Sequence, residues 1–341
     1  MTQMKKYDYP IDIVIPWVDG SDKNWQAEYV KYSECKTDSV HSFDYKDWGL
    51  LKFWFRCLEQ NAPWIRKIFF ITWGHIPSWL NITNPKLVVV NHRDYIPEKY
   101  LPTFSSHVIE LNIHRIEGLS EHFIYSNDDM FLTAPTEPTD FFRNGLPCDS
   151  AIINPIAPAN RNCISNLQLT TAAVINENFK KKQVIRQDPF KWFNFKYGKL
   201  LPLNMMFLPW GRFPGLLEKH VMSSFCKSTF QEVWDKEYDL LDATCQHKFR
   251  DFKTDVNQWI MKEWQIASGN FAPRSISSGK LFSVYGYEDA IKVAKEITRK
   301  RIKMLCINDH IETIDQNTER AMYCITNAFL KAYPEKSSFE R

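Results

Sequence analysis

The tripeptide Asn127-Asp128-Asp129 constrains the fold of this 341-residue chain more than any other feature. It stands between two apolar runs, residues 122–125 and 130–132, so an acid pair lies where a buried strand ends. Carboxylates near an apolar core are costly unless something compensates them, and a hard divalent cation bound by Asp and Asn oxygens is the usual compensation. Because ligands of open α/β sheets bind beyond the carboxyl ends of the strands, the tripeptide predicts a metal or phosphate site. A plain strand-to-turn junction is the alternative, since Asn and Asp also favour turns.

The same pattern occurs near the start of the chain. Residues 11–18 form a short apolar run with β-branched side chains, and Asp19-Gly20-Ser21-Asp22 follows it. Gly20 allows a sharp turn or a close approach to a ligand, and Ser21 or Asp22 can cap a following helix. An ordinary hairpin or βα turn would have similar residues. Two apolar strands that both deliver carboxylates at their carboxyl ends favour a functional site.

Strand and helix patterns alternate along the first part of the chain. The predicted strands are 11–18, 68–72, 87–92 and 123–126, and the predicted helices are 48–61 and 106–115. This alternation predicts an α/β fold with a mostly parallel sheet and flanking helices. Helical patterns return at 226–268 and in a basic amphipathic helix at 290–304. We therefore expect an α/β core at 1–135, an irregular insert at 136–217 and a mainly helical part at 218–341.

The two acidic turns also lie in segments that resemble the Stealth family of sugar-phosphate transferases. Residues 12–22 are similar to the first conserved region of that family. The second region is matched, in order, by segments at 43–47, 55–59, 62–68, 101–106, 109–116 and 118–131. His220 and the segment 247–250 resemble the third conserved region of the family. The segments 306–309 and 333–340 resemble the fourth. The family acts in bacterial capsule and exopolysaccharide synthesis, and the α/β subunit of lysosomal-enzyme N-acetylglucosamine-1-phosphotransferase is a relative.

The resemblance implies a reaction, a fold and partners. It implies transfer of a hexose-1-phosphate, or a similar sugar phosphate, from a UDP-sugar donor to a hydroxyl of a polysaccharide or lipid-linked glycan acceptor, with release of UMP. It also implies a nucleotide-diphosphosugar-transferase-like fold, in which 1–135 binds the nucleotide sugar and 218–341 completes the active site. Mg²⁺ or Mn²⁺ is the expected cofactor.

Phosphoryl transfer requires charge neutralisation, in-line positioning and a base for the attacking hydroxyl. Carboxylates supply the metal ligands, and these are expected to be Asp128, Asp129 and Asp309. The residues expected to bind the nucleotide or orient the donor are Asp19, Gly20, Asn127, Arg115 and Asn308. Asp19 is also a candidate to share the metal.

The expected catalytic residues are His220, Glu110, Arg250 and Asp129. Arg250 can hold phosphate through two parallel hydrogen bonds, although an ordinary surface arginine has the same sequence. By resemblance His220 is the general base, since its unperturbed pKa lies near neutrality. Glu110 is the alternative base. Glu110 and His114 are four residues apart on a predicted helix, so an ordinary surface pair is a further interpretation.

Composition limits the remaining classes of function. A net charge of +3 gives no argument for a nucleic-acid partner. The eight cysteines include no Cys-x-x-Cys pair, and Met1–Pro10 has no apolar signal core. We expect reduced thiols and a cytoplasmic protein that contacts membrane assembly machinery peripherally. The lysines at 180–182 are expected to form a solvated face, with contact to anionic lipid as the alternative.

Two other functions would use the same residues. A metal-dependent glycosyltransferase would attack the anomeric carbon and release UDP instead of UMP. A non-catalytic component of a glycan assembly complex would show neither metal dependence nor turnover. The joint presence of Asp19, Asp128, Asp129 and Arg250 favours an enzyme over the non-catalytic component.

Overall fold

The computed structural model of the protein describes residues 9–33, 48–310 and 315–341. The strands are β1 (Ile11–Pro16), β2 (Ile68–Thr72), β3 (Leu87–Asn91), β4 (His122–Tyr125), β5 (Met130–Leu132), β6 (Phe142–Arg143), β7 (Leu146–Asp149), β8 (Ser223–Cys226), β9 (Ala272–Pro273), β10 (Gly279–Val284) and β11 (Met304–Asp309). The helices are α1 (Lys23–Tyr32), α2 (Leu51–Asn61), α3 (Ser106–Leu111), α4 (Ser165–Asn178), α5 (Lys181–Gln187), α6 (Pro189–Trp192), α7 (Leu201–Met206), α8 (Lys227–Lys236), α9 (Tyr238–Gln246), α10 (Trp259–Ala267), α11 (Tyr287–Arg299) and α12 (Gln316–Ala332).

The main sheet has the strand order β3-β2-β1-β4-β8. Strands β1 to β4 are parallel, and β8 pairs antiparallel with β4 at one edge. The predicted α/β fold with a mostly parallel sheet and flanking helices is therefore confirmed. Helix α1 follows β1 as expected, and the Asp22 carboxylate caps it by accepting hydrogen bonds from the backbone N–H groups of Asn24 and Trp25.

Each face of the main sheet is covered by a hydrophobic core. Ile13 and Ile15 pack into one core with α2 and α12, whereas Val14 and Phe69 pack into the other with α8 and α10. Successive side chains of a strand point to opposite faces of a sheet, so a strand that is covered on both faces is apolar throughout. This explains why β1 and β2 are mostly apolar and show no alternation. The exception in β1 is Asp12, which is buried and forms an ion pair with Arg66.

A second sheet brings the end of the chain beside the acidic turn. Its order is β10-β11-β5, with β10 parallel and β5 antiparallel to β11. The backbone N–H of Ile307 donates to the carbonyl oxygen of Asp129 at 2.9 Å. This pairing fixes Asn308 and Asp309 next to the turn after β4, about 180 residues earlier in the chain. A small third sheet has the order β6-β7-β9.

Three predicted local structures are wrong. The helix predicted at 106–115 ends at Leu111, and a 3₁₀ turn covers Ile113–Arg115. The helix predicted at 290–304 ends at Arg299, because Lys300 is left-handed with φ of +51° and β11 begins at Met304. Lys181 does not lie on a solvated face: it is buried, and its Nζ donates to the backbone carbonyl groups of Phe207, Leu208 and Trp210.

The insert predicted to be irregular contains strands β6 and β7 and helices α4 to α7. The domain boundaries at 135/136 and 217/218 stay a prediction. Cys35 and the segment 43–47, which resembles the family, lie outside the described residues. The seven cysteines in the described ranges are free thiols. None of the helices in the described ranges combines the length and apolar character that a membrane span requires.

Candidate functional site

A cavity of about 480 Å³ lies beyond the carboxyl ends of β1 and β4. Its wall includes Pro16, Trp17 and Val18 after β1 and Asn127, Asp128 and Asp129 after β4. The predicted site residues that line this cavity are Glu110, Asn127, Asp128, Asp129, His220, Arg250, Asn308 and Asp309. The three predicted residues outside its lining are Asp19, Gly20 and Arg115.

Asp129 combines a bonded and an unbonded carboxylate oxygen. Its Oδ2 accepts a hydrogen bond from the thiol of Cys306 at 3.2 Å, and the same oxygen lies 3.7 Å from Nε2 of His220. Its Oδ1 is buried and has no hydrogen-bond partner within the described residues. A buried carboxylate oxygen without a partner is unfavourable, so this atom is available for a cation or a ligand donor.

The donor atoms around Asp129 fit a divalent cation. Ligand atoms of Asp129, His220 and Cys306 lie within 4.8 Å of one another, and Asp128 and Asp309 line the same cavity. Burial, followed by the charge of Asp129, raises the pKa of the Cys306 thiol well above its usual value. The thiol donates to Asp129, and the carboxylates of Asp128, Asp129 and Asp309 bring oxygen atoms to the cavity. Oxygen ligands of this kind suit Mg²⁺ or Mn²⁺.

His220 has a constrained backbone. Its φ is +47°, a left-handed conformation that non-glycine residues seldom adopt. Its backbone N–H donates to Oε1 of Glu218 at 2.7 Å, and Oε2 of Glu218 accepts from Nζ of Lys262 at 2.8 Å. Burial opposes protonation of the imidazole, but the carboxylates of Asp129, Glu218 and Glu110 together outweigh burial and raise the pKa of His220. Glu218 thus holds the backbone that directs His220 toward Asp129.

Lys262 lies at the centre of a buried charge cluster behind His220. Its side chain is 4% exposed, and its Nζ lies 3.7 Å from Oδ2 of Asp149 in addition to its bond with Glu218. Arg274 Nη2 lies 3.9 Å from the other carboxylate oxygen of Asp149. Burial disfavours the ammonium, but Asp149 and Glu218 raise the pKa of Lys262 and keep it charged. Sequence reasoning missed this cluster, because its members come from four separate segments.

Replacement of Lys262 tests the charge cluster. Lys262→Met is expected to lower the free energy of unfolding by about 3 kcal/mol or more, because it leaves the Glu218 and Asp149 carboxylates without their ammonium partner. Urea denaturation measures this change. The matched control is Lys295→Met on the exposed face of α11, which should change stability little. Equal stability of the two variants would contradict a charged, paired Lys262.

Glu110 lies in α3 with its side chain directed into the cavity wall. It is 5% exposed, its Oε1 accepts from the hydroxyl of Tyr125 at 2.9 Å, and its Oε2 has no hydrogen-bond partner within the described residues. Burial raises the pKa of Glu110, while His107, the hydrogen bond from Tyr125 and the guanidinium of Arg250 oppose that shift. The carboxyl group is therefore a second candidate for proton transfer in the cavity.

The segment that carries Arg250 is fixed by Asp255. The two carboxylate oxygens of Asp255 contact Nδ1 of His107 at 2.8 Å and Nδ1 of His247 at 2.6 Å. Oδ2 of Asp255 also accepts from the backbone N–H of Asp251 at 2.9 Å. Asp255 is fully buried, so α3 and the 247–251 segment are held together at the cavity. The sequence alone gave no signal for His107, which lies 148 residues before Asp255.

Asp19 and Gly20 form the turn that leaves β1. Oδ1 of Asp19 accepts from both the backbone N–H and the hydroxyl of Ser21, and the backbone N–H of Asp19 donates to Nε2 of His75 at 2.8 Å. The carbonyl oxygen of Gly20 accepts from Nε2 of Gln26. Both residues follow Val18 and therefore stand beside the cavity without lining it.

His114 and Arg115 lie away from the cavity because α3 ends at Leu111. The guanidinium of Arg115 stacks 4.9 Å from the centre of the Trp234 ring, so the expected nucleotide contact of Arg115 is not supported. His114 packs against Phe230 and Trp234, and both of its ring nitrogens are buried without hydrogen bonds within the described residues. A surface pair of Glu110 with His114 is also wrong, since both side chains are buried.

The buried imidazole of His114 predicts sensitivity to acid. Burial lowers its pKa to about 3, whereas an unfolded histidine takes up a proton near pH ~6.5. Between these values only the unfolded state is protonated, so stability falls as the pH falls, by roughly 1.4 kcal/mol per pH unit at the steepest. His114→Leu should therefore lose less stability than the wild type between pH 7 and pH 5, as measured by urea denaturation at both pH values. Above about pH 8 the free energies of unfolding of the wild type and of His114→Leu should change with pH in parallel, because the imidazole is neutral in the folded and the unfolded state. An unchanged slope between pH 7 and pH 5 would refute the assignment.

Comparison with known proteins shows extensive similarity. The family model described as Stealth protein CR1, conserved region 1, matches residues 9–34, and Stealth protein CR2, conserved region 2, matches residues 44–148. The capsular polysaccharide phosphotransferase WcwK of Streptococcus pneumoniae is 42% identical over 334 residues, which cover 97% of this chain and 98% of that protein. The exopolysaccharide phosphotransferase cps2G of Lactiplantibacillus plantarum is 38% identical, and the match covers 98% of this chain and 97% of that protein.

A third relative and two solved structures are also similar to this chain. The receptor polysaccharide phosphotransferase WefC of Streptococcus oralis is 39% identical and covers 97% of this chain and 99% of that protein. The apo structure of the bifunctional glycosyltransferase WbbM has a TM-score of 0.38 at 9% identity and covers 97% of this chain and 50% of that one. The apo form of the glycosyltransferase GlyE of Streptococcus pneumoniae TIGR4 has a TM-score of 0.37 at 11% identity and covers 94% of this chain and 60% of that one.

The resemblance found in the sequence is thus confirmed in its first two regions. Both family models fall on the segments that carry the acidic turns, and the relatives match along almost the whole chain. Because named phosphotransferases share 38–42% identity with it over that length, the chain belongs to the Stealth family of phosphotransferases.

Proposed function

We propose that the protein transfers a hexose-1-phosphate, or a similar sugar phosphate, from a UDP-sugar to a hydroxyl of a polysaccharide or lipid-linked glycan. The product is a phosphodiester in capsule or exopolysaccharide synthesis, and UMP is released. One observation carries the proposal: acidic, amide, histidine and arginine side chains from widely separated segments converge on one cavity at the carboxyl ends of the parallel strands. The names of the relatives, which denote phosphotransferases of capsular and other polysaccharides, support the same chemistry.

The reaction is a substitution at phosphorus. A bond forms between the acceptor oxygen and the β-phosphorus of the donor, and the bond from that phosphorus to UMP breaks. The acceptor proton passes to Nε2 of His220, with Glu110 as the alternative base. Arg250 lines the cavity and forms no ion pair within 4 Å among the carboxylates of the described residues, so its guanidinium donors are available for phosphate oxygens.

The acidic residues serve the donor diphosphate. Asp129, with its unbonded Oδ1, would hold Mg²⁺ or Mn²⁺ together with Asp128 and Asp309. When bound, the cation supplies neutralisation of phosphate charge. The amide groups of Asn127 and Asn308 offer donors and acceptors for orienting the nucleotide.

Asp19 and Gly20 shape the neighbouring turn, where the nucleotide base or ribose would lie. Arg115 has no role in the proposal, because it stacks on Trp234. A UDP-sugar donor places the reaction in the cytoplasm, at the inner face of the plasma membrane if the acceptor is lipid-linked. Nucleic acid has no part in the proposal.

The nucleotide released in the reaction tests the proposal directly. Purified protein is incubated with a panel of UDP-sugars and an acceptor glycan extract, with Mg²⁺ or with EDTA, and the nucleotide and the ³¹P spectrum of the product are recorded. UMP together with a new phosphodiester signal, both abolished by EDTA, is the expected result. UDP without a phosphodiester would identify a conventional glycosyltransferase. Absence of nucleotide release with every donor would favour the non-catalytic alternative.

A further inference from the structure

Large apolar side chains project from residues 190–210, part of the predicted insert. Phe190 is 81% exposed and Phe195 is 92% exposed. The other exposed apolar side chains of this stretch are Met205, Met206, Leu208 and Trp210. Single exposed apolar residues are common, but six within 21 consecutive residues indicate an interaction surface. We call these six side chains the insert face.

The insert face is built on a fixed framework. The buried Nζ of Lys181 donates to the carbonyl oxygen of Trp210 at 2.6 Å and also to that of Phe207. The buried Asn204 side chain donates to the carbonyl oxygens of Trp192 and Ala151 at 2.6 and 2.7 Å. These contacts tie α5, α6, α7 and the turn after α7 to one another. The exposed side chains are therefore presented by an ordered segment.

Positive charge accompanies the insert face. Residues 180–212 contain eight Lys and Arg residues but a single carboxylate, Asp188, whereas the net charge of the whole chain is only +3. Lys180, Lys182 and Arg186 line one shallow depression on the exposed side of α5, the helix whose buried Lys181 contacts residues 207–210. The partner of this region is therefore expected to be anionic as well as apolar.

We infer that the insert face docks on an anionic lipid bilayer. The apolar side chains enter the interface, and Lys180, Lys182 and Arg186 contact lipid phosphates. A soluble anionic glycan is disfavoured, because five of the six side chains of the insert face are Phe, Met or Leu, which offer no hydrogen bonds to sugar hydroxyls. A second copy of the chain is disfavoured as partner, because two such basic segments would repel each other.

The insert contributes to the cavity. Ile164, just before α4, lines the cavity wall, and His220 follows the insert by three residues. A protein docked through the insert face would hold the cavity close to the bilayer, where a lipid-linked acceptor would be presented. Only this last point rests on the proposed function, whereas bilayer binding itself is independent of turnover.

Vesicle sedimentation tests the inference with the full chain. The protein should bind vesicles of phosphatidylcholine containing phosphatidylglycerol and bind pure phosphatidylcholine weakly. Phe190→Ser with Phe195→Ser should weaken binding to the anionic vesicles about tenfold or more. Lys180→Gln, Lys182→Gln and Arg186→Gln together should weaken it about a hundredfold. The matched control is Ile291→Ser with Tyr323→Ser, two exposed side chains on α11 and α12, which should leave binding unchanged.

Several outcomes would overturn the inference. These are equal binding to both kinds of vesicle, unchanged binding of the Phe190/Phe195 variant, or loss of binding in the α11 and α12 control. The inference also fails if the insert variants change only the oligomeric state, or if a soluble phosphodiester glycan displaces the vesicles from the insert face. An Asp129→Asn protein should bind vesicles normally, so failure of docking and failure of the proposed chemistry are distinguishable.

Discussion

Replacing Asp129 with asparagine is expected to reduce turnover at least about a thousandfold. The change keeps the size of the side chain and an oxygen that can accept from the Cys306 thiol, but it removes the negative charge. If Asp129 helps to hold a divalent cation on the donor diphosphate, the loss corresponds to roughly 4 kcal/mol of transition-state stabilisation. The measurement is the rate of UMP release at saturating Mg²⁺.

The matched control for this experiment is Asp289→Asn. Asp289 is half-buried in α11, where its carboxylate pairs with Lys292 at 2.9 Å, and it has no role in the proposed chemistry. Its replacement should leave the rate of UMP release unchanged. A urea denaturation curve for each variant separates lost chemistry from lost folding. An Asp129→Asn protein that is folded and retains more than a tenth of the wild-type rate would rule out the proposed role.

The central sheet could be predicted because its strands carry their own signal. Strands β1 and β2 are short, mostly apolar runs that end in polar turns, and the alternation with helices specifies parallel pairing. The position of Asn127-Asp128-Asp129 followed from the same pattern, since the carboxyl end of a parallel strand faces the ligand side of such sheets. The family resemblance added Glu110, His220, Arg250 and Asn308, which no spacing rule would have grouped.

Other features depend on contacts that sequence patterns do not record. The meeting of Asp129 with Asn308 and Asp309 requires the antiparallel pairing of β5 with β11, and periodicity gives no information on that register. The apolar residues Ile302 and Met304 continue the helical pattern of α11 by coincidence, because Lys300 turns the chain into a strand. Lys181 is polar in sequence yet buried, since backbone carbonyl groups satisfy its ammonium.

Replacing His220 with asparagine is expected to lower kcat about a thousandfold. Asparagine tolerates the left-handed backbone that His220 adopts, so the change removes the imidazole with little added strain. General bases contribute about a hundred- to ten-thousandfold to such reactions. Glu110→Gln keeps an acceptor for the Tyr125 hydroxyl, so it should lower kcat about tenfold or less if His220 is the base.

The choice between the two bases can be settled with a third variant. His220→Gly leaves space where the imidazole was and suits φ of +47°, so imidazole added to the buffer should restore part of the lost rate. No such rescue is expected for Asp129→Asn or Glu110→Gln, because neither lacks an imidazole. Glu110 would instead be the general base if Glu110→Gln lowered kcat a thousandfold, while the His220 variants lost little activity and added imidazole did not restore it. In that case the Glu218 contact with the His220 backbone would shape the cavity wall without positioning a base, and the raised pKa of the buried Glu110 would instead mark the proton acceptor.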